Sequence, residues 1–182
     1  MYQLSKHPQR LLSSLAALLL LSLSSAAQAS DCAAEPLVKE IAQSFEHAAR
    51  SHSSQAFASA ASRYADMHSL AIFALGSYRS KLTPGDEARY VYLARGFLGR
   101  WMAENSTRIS GSGISIQACS EQVVSARFGD GTSVVFHLIG PSRVADISVS
   151  GISLAGVLRG KITDVLRGNG GSIPGLMDYL AQ

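Results

Sequence analysis

Metal-ligating and nucleophilic groupings are scarce in this chain. It has two cysteines among its 182 residues, and no His-Glu-x-x-His or comparable ligand spacing among its five histidines. A structural zinc site and a cysteine-dense framework are thereby excluded. No Gly-x-Ser-x-Gly elbow is present, although serines are plentiful. The groups Gly129-Asp130-Gly131 and Gly168-Asn169-Gly170-Gly171 lack phosphate-loop spacing and read as a turn and a helix stop. Charge of one sign is missing too. Of the 16 basic residues, Lys6 and Arg10 precede residue 30, which leaves 14 against 13 acids and a net charge of +1. No basic run tracks a phosphate backbone, so we expect no nucleic-acid partner.

The N-terminus is organised as a leader. Lys6 and Arg10 form a basic region, Leu11 to Leu23 an apolar one, and Ala27-Gln28-Ala29 fits the small-x-small rule for cleavage. The apolar run is short for a spanning helix and is weakened by serines. We therefore expect residues 1–29 to be a signal peptide cleaved after Ala29, and the mature chain to be exported. Residues 30–182 have the size of one domain with a real core. No second long apolar run follows.

The mature chain reads as helices, then a small antiparallel sheet, then helices. Leu37, Ile41, Phe45 and Ala48 recur at helical spacing over residues 34–50. Further helical stretches run from about Ser54 to Tyr64 and from Met67 to Tyr78. Thr83, Pro84 and Asp86 form a helix start for a long helix reaching about Glu104. Beyond Asn105 the period becomes alternating. Ile109 to Cys119 form a weak strand, and two β-rich runs flank Gly129-Asp130-Gly131 as a hairpin. Residues 143–150 alternate again. Ser153 caps a helix over 154–166, Gly168 ends it, and Ser172 opens a last helix to Leu180. The fold class is α+β: helices packed on one face of a curved antiparallel sheet.

Cys32 and Cys119 can bridge the start of the mature chain to the sheet in an oxidising compartment. Two separate thiols fit the sequence equally well. His47 and His52 lie in polar helical sequence and read as solvated. Asn105-Ser106-Thr107 matches a glycosylation sequon in form only. One catalytic arrangement stays open, with Asp146 paired to His137 or Tyr78 inside a cone of helices and sheet.

The surplus is apolar. Tyr90, Leu93, Phe97 and Trp101 form one stripe of the long helix. Val91, Ala94, Leu98 and Met102 form a second beside it. Such stripes ordinarily mean core. Here the wall is wide, and Val134, Phe136 and Leu138 share one strand face as a further apolar surface. Two such surfaces can leave a cleft between them. On that reading Leu93, Phe97 and Trp101 face Val134, Phe136 and Leu138 across a cavity. Ile72, Phe73 and Leu75, Ile147 and Val149, and Leu154 and Leu158 complete its expected lining. Gly96 and Gly99, poor helix formers, would lower the bulk where a neighbouring helix approaches.

Three segments carry a family resemblance over about residues 35–181: "ALGSYRSKLTPGDEARYVYLARGFL", "SVVFHL" and "VADISVSGISLAGVLRGKITDVLRGNGGSIPGLMDYL". Their order and spacing resemble the MlaC/toluene-tolerance family of periplasmic phospholipid-binding proteins. The chain departs from the family pattern at Ser142, where a tryptophan is common, and at Val157 and Leu158, where Asn-Tyr precedes an arginine matched here by Arg159. The resemblance implies a nuclear-transport-factor-like sheet with helices enclosing an apolar cavity. It implies no catalytic set and no cofactor. It further implies a monomeric shuttle carrying phospholipid between an outer-membrane lipoprotein complex and an inner-membrane ABC transporter with a lipid-binding subunit, which maintains outer-membrane lipid asymmetry. A hopanoid-associated branch of the family is the alternative. Arg159, and with it Lys161, Arg143 and Arg167, are candidates for contact with a headgroup phosphate or an acidic partner.

Overall fold

The computed structural model describes residues 32–108 and 113–182. The leader with its cleavage motif lies outside them, as does the start of the first expected strand at Ile109. Four α-helices come first: α1 (Glu35–Arg50), α2 (Ser54–Tyr64), α3 (Met67–Leu75) and α4 (Pro84–Glu104). Strands β1 (Ile114–Cys119), β2 (Val123–Phe128), β3 (Ser133–Ile139), β4 (Arg143–Val149) and β5 (Ile152–Ser153) follow, then α5 (Leu154–Gly168) and α6 (Ile173–Leu180).

Local chemistry accounts for most boundaries. The Ser53, Asp66, Thr83, Ser153 and Ser172 side chains each accept the backbone N–H of the residue three positions on, capping α2 to α6. The helix expected to run to Tyr78 stops as an α-helix at Leu75. Gly76 adopts φ +56°, and residues Gly76–Lys81 tighten into a 3₁₀ turn. At the β2–β3 turn, Gly131 adopts φ +89° and Asp130 accepts the Thr132 N–H at 2.8 Å.

The sheet is an antiparallel meander in the order β1-β2-β3-β4-β5. Gln117 in β1 and Ala145 in β4 have no opposite residue, and these two bulges bend their strands. The inner face carries Val124, Ala126, Val134, Phe136, Leu138 and Val144, all buried, against Val38 and Ile41 of α1 and Ala60 and Tyr64 of α2. Arg127, Ser133, His137 and Ile139 are exposed. Cys32 and Cys119 are bridged, with Cα atoms 5.7 Å apart, which ties the chain ahead of α1 to the end of β1.

A second apolar layer is purely helical. Tyr90 and Ala94 of α4 meet Ala71 and Leu75 of α3, Leu158 and Ile162 of α5, and Leu176 and Leu180 of α6. Tyr90 is fully buried, and its hydroxyl donates to the Ala71 carbonyl at 2.8 Å. Burial pushes that phenol's pKa well above its ordinary value. Between the two layers, Phe57 and Ala61 of α2 pack on Leu98 and Met102 of α4.

Candidate functional site: an apolar crevice between sheet and helices

Where the sheet and the helical layer meet, they leave a crevice with two lobes. Phe45 of α1, Met102 of α4, Ile147 of β4 and Leu154 of α5 line both lobes and form the partition between them. One lobe continues along the sheet to Ile41, Phe128, Val134, Phe136 and Val149. The other runs under α2 and α3, past Ala61, Tyr64, Leu70 and Leu98 to Ala145, Asp146 and Ala155. The space that can take the centre of a water molecule is about 40 Å³ in each lobe. That admits a few waters and is far too little for an acyl chain.

The lining is apolar apart from Tyr64 and Asp146. The Tyr64 hydroxyl is 3.0 Å from Ser44 Oγ, so its polar tip is satisfied. Asp146 Oδ1 accepts the Ala155 N–H at 2.9 Å, one of the unpaired donors in the first turn of α5. Among the described residues no three His, Cys, Asp or Glu side chains are grouped to hold a metal ion, and no helix is long and apolar enough to cross a membrane.

The MlaC protein family model matches residues 33–182. The chain belongs to the MlaC family. Its fold is also that of a solved phospholipid-binding protein from Ralstonia solanacearum, in complex with a phospholipid. The two are 19% identical, with a TM-score of 0.62, over 81% of this chain and 94% of the other. No curated protein matches this chain.

Within this MlaC-family fold, the residues expected to line the cavity divide. Val134, Phe136, Ile147, Val149 and Leu154 line the crevice. Leu138 belongs to the sheet-facing core instead. Leu93 and Phe97 do not stand opposite the strand face. They pack against the helical layer, where the Phe97 ring lies 5.8 Å from that of Tyr179. Ile72, Leu75 and Leu158 are buried in that same layer, and Phe73 is 48% exposed. Trp101 packs on the small cluster between the layers without reaching either lobe. The crevice is reached instead by the other stripe of α4, through Leu98 and Met102. Phe45, Tyr64 and Leu70 were not singled out from sequence. Phe45 was visible as one of the apolar repeats of α1, but nothing local distinguished it from core.

The basic candidates lie outside the crevice. Arg159 places its guanidinium 4.9 Å from the centre of the Phe73 ring, beside Gly76, where an added Cβ would stand 3.2 Å from Nη2. Phe73, Arg79 and Arg159 share a shallow exposed groove there. Arg143 is exposed at the start of β4. It adds to the lowering of the Asp66 carboxyl pKa, which comes first from the hydrogen bonds of Ser69. Lys161 is exposed. Arg159, Arg143 and Lys161 have no ion-pair partner among the described residues, whereas Arg167 pairs with Asp164 at 3.2 Å.

The proposed acid–base pair is drawn apart. His137 and Asp146 are opposite in register, but the register shifts directly beyond them at Ala145. Asp146 turns to α5, and the side chain of exposed His137 makes no hydrogen bond among the described residues. Tyr78 packs against the helical layer, away from Asp146. Of the sequon, Ser106 is buried with His52 Nδ1 3.0 Å from its Oγ, while the Asn105 amide donates to the Trp101 carbonyl at 2.8 Å.

Proposed function

We propose that this protein is a periplasmic phospholipid carrier that takes acyl chains into the two-lobed crevice and leaves the headgroup at its rim. The observation that carries this reading is the crevice wall: residues from α1, α2, α3, α4, α5 and the sheet line two adjoining apolar spaces that share one partition and that the core does not fill. Membership of the MlaC family and a fold shared with a phospholipid-bound protein support it. Burying a chain contributes about 0.8 kcal/mol per methylene, so such a carrier needs volume and an entrance and no reactive residues. The crevice is narrow as described, and loading requires the helical layer to move away from the sheet. The partition at Phe45, Met102, Ile147 and Leu154 lies where that separation would join the two lobes.

In this reading the carrier moves lipid between an outer-membrane lipoprotein complex and the lipid-binding subunit of an inner-membrane ABC transporter, and so maintains outer-membrane lipid asymmetry. Arg159, flanked by Phe73 and Arg79 and without an ion-pair partner among the described residues, is the contact for a headgroup phosphate or an acidic partner surface, with Lys161 and Arg143 as further cations. Mass spectrometry of the natively purified mature protein tests the carrier reading. Co-purifying phospholipid supports it. A protein that is consistently free of lipid overturns it, and a co-purifying hopanoid would move the cargo to the family's other branch.

A further inference from the structure

Among the described residues Asp146 is the one charged side chain that lines the crevice, and no lysine, arginine or histidine lines either lobe. It stands at the rim. Asp146 is half-buried, its neighbour Ala145 is exposed, and both border the lobe floored by Leu98 and Met102. Its place is fixed from two sides. The bulge at Ala145 sets the strand geometry, and the Ala155 N–H holds Oδ1 at 2.9 Å. One N–H occupies only part of what a carboxylate can accept. Among the described residues Asp146 has no ion pair, and the side chain of His137 opposite makes no contact with its carboxylate. A positioned carboxylate with open lone pairs therefore stands where a chain entering the lobe would leave its headgroup.

We infer that Asp146 selects the headgroup: it accepts hydrogen bonds from a headgroup that carries an ammonium and disfavours one whose only charge is negative. The inference rests on the carrier reading above. A charge-assisted hydrogen bond is about twice as strong as a neutral one. An anionic headgroup without a cation would bring like charge to the carboxylate, with no basic residue lining the lobes beside it; Arg159, Lys161 and Arg143 lie outside the crevice and would meet only the phosphate that both kinds of headgroup carry.

The test uses lipid-free mature protein incubated with excess vesicles of equal parts phosphatidylethanolamine and phosphatidylglycerol. The protein is then re-isolated and its bound lipid quantified by mass spectrometry. Asp146→Asn keeps an oxygen for the Ala155 N–H and removes the charge. Wild type is expected to enrich the ethanolamine lipid by about threefold or more over the vesicle ratio. In Asp146→Asn the lipid that is bound is expected to fall back to the vesicle proportion. Proportional uptake by wild type overturns the inference and leaves the carrier reading standing, as does an enrichment that survives in Asp146→Asn. No lipid on either protein overturns the carrier reading, and the inference with it. Should Asp146→Asn fail to fold, the wild-type ratio alone decides.

Discussion

Gly99 of α4 lies so close to Ala58 of α2 that a Cβ on Gly99 would stand 2.8 Å from the Ala58 Cβ and run into the Ser54 carbonyl oxygen. Backbone cannot step aside as a flexible side chain can, so Gly99→Ala is expected to destabilise by about 1–3 kcal/mol. Gly96, one turn earlier, differs. A Cβ there would meet only the end of the Arg100 side chain, at 3.4 Å. Gly96→Ala is expected to gain up to about 1 kcal/mol of helix propensity. Urea unfolding of the two variants checks both signs, and equal effects would mean that α2 does not approach α4 this closely.

The Cys32–Cys119 bridge spans 87 positions of sequence. Chain-entropy reasoning gives a loop of that length an upper figure of about 4–5 kcal/mol. The mature protein should show no free thiol under non-reducing conditions. Reduction should lower its unfolding midpoint and should first loosen α1 from the sheet. Two reactive thiols on the folded protein would contradict the pairing.

Asp66 caps α3 by accepting the Ser69 N–H at 3.0 Å and the Ser69 hydroxyl at 2.8 Å. These bonds lower its pKa, with a smaller contribution from Arg143. A carboxyl with a depressed folded pKa contributes stability above its unfolded value and loses it as pH falls through the folded one. Asp66→Ala should therefore cost about 1 kcal/mol at neutral pH. The gap between variant and wild type should close as pH falls through the carboxylate range. A gap that stays constant in acid would mean that the carboxylate charge has no part in the cap.

Arg159→Ala removes a cation resting on an exposed ring, a contact worth about 0.5–1 kcal/mol. Stability should change by no more than that, while on the proposed carrier function transfer of lipid to the proposed transporter falls. If retention and transfer both match wild type, Arg159 is only a solvated helix residue.

The fold was readable because its signals are local. Thr83-Pro84 with Asp86 marks a helix start whatever packs above it, and Gly129-Asp130-Gly131 marks a turn between two alternating runs. Alternation likewise placed Val134 and Phe136 on the inner face of β3. The crevice wall was harder to read. Helix α4 is covered by α2 on one side and by α3 and α6 on another, so both of its stripes are apolar and neither announces which space it borders. Phe97 meets Tyr179, about 80 residues away in sequence, and that contact turns the Leu93–Phe97 side toward the helical layer. Asp146 shows the same limit. Register places it opposite His137, and only the bulge at Ala145 and the approach of α5 redirect it.

The two stripes of α4 can be told apart by filling. Leu93 is partly buried and packs against the helical layer around Tyr90, whereas Ile147 lines both lobes of the crevice together with Met102. A tryptophan at Leu93 presses part of its added bulk onto that packed layer, and Leu93→Trp should destabilise toward the low end of about 1–3 kcal/mol while bound lipid is retained. A tryptophan at Ile147 can swing into the space that an acyl chain would use. Ile147→Trp should therefore destabilise less than Leu93→Trp and lower bound lipid several-fold. Thermal unfolding and lipid extraction on the same preparations decide the matter. If lipid falls in Leu93→Trp at unchanged stability and persists in Ile147→Trp, acyl chains lie along the Leu93–Phe97 stripe, and the crevice between sheet and helices is ordinary imperfect packing.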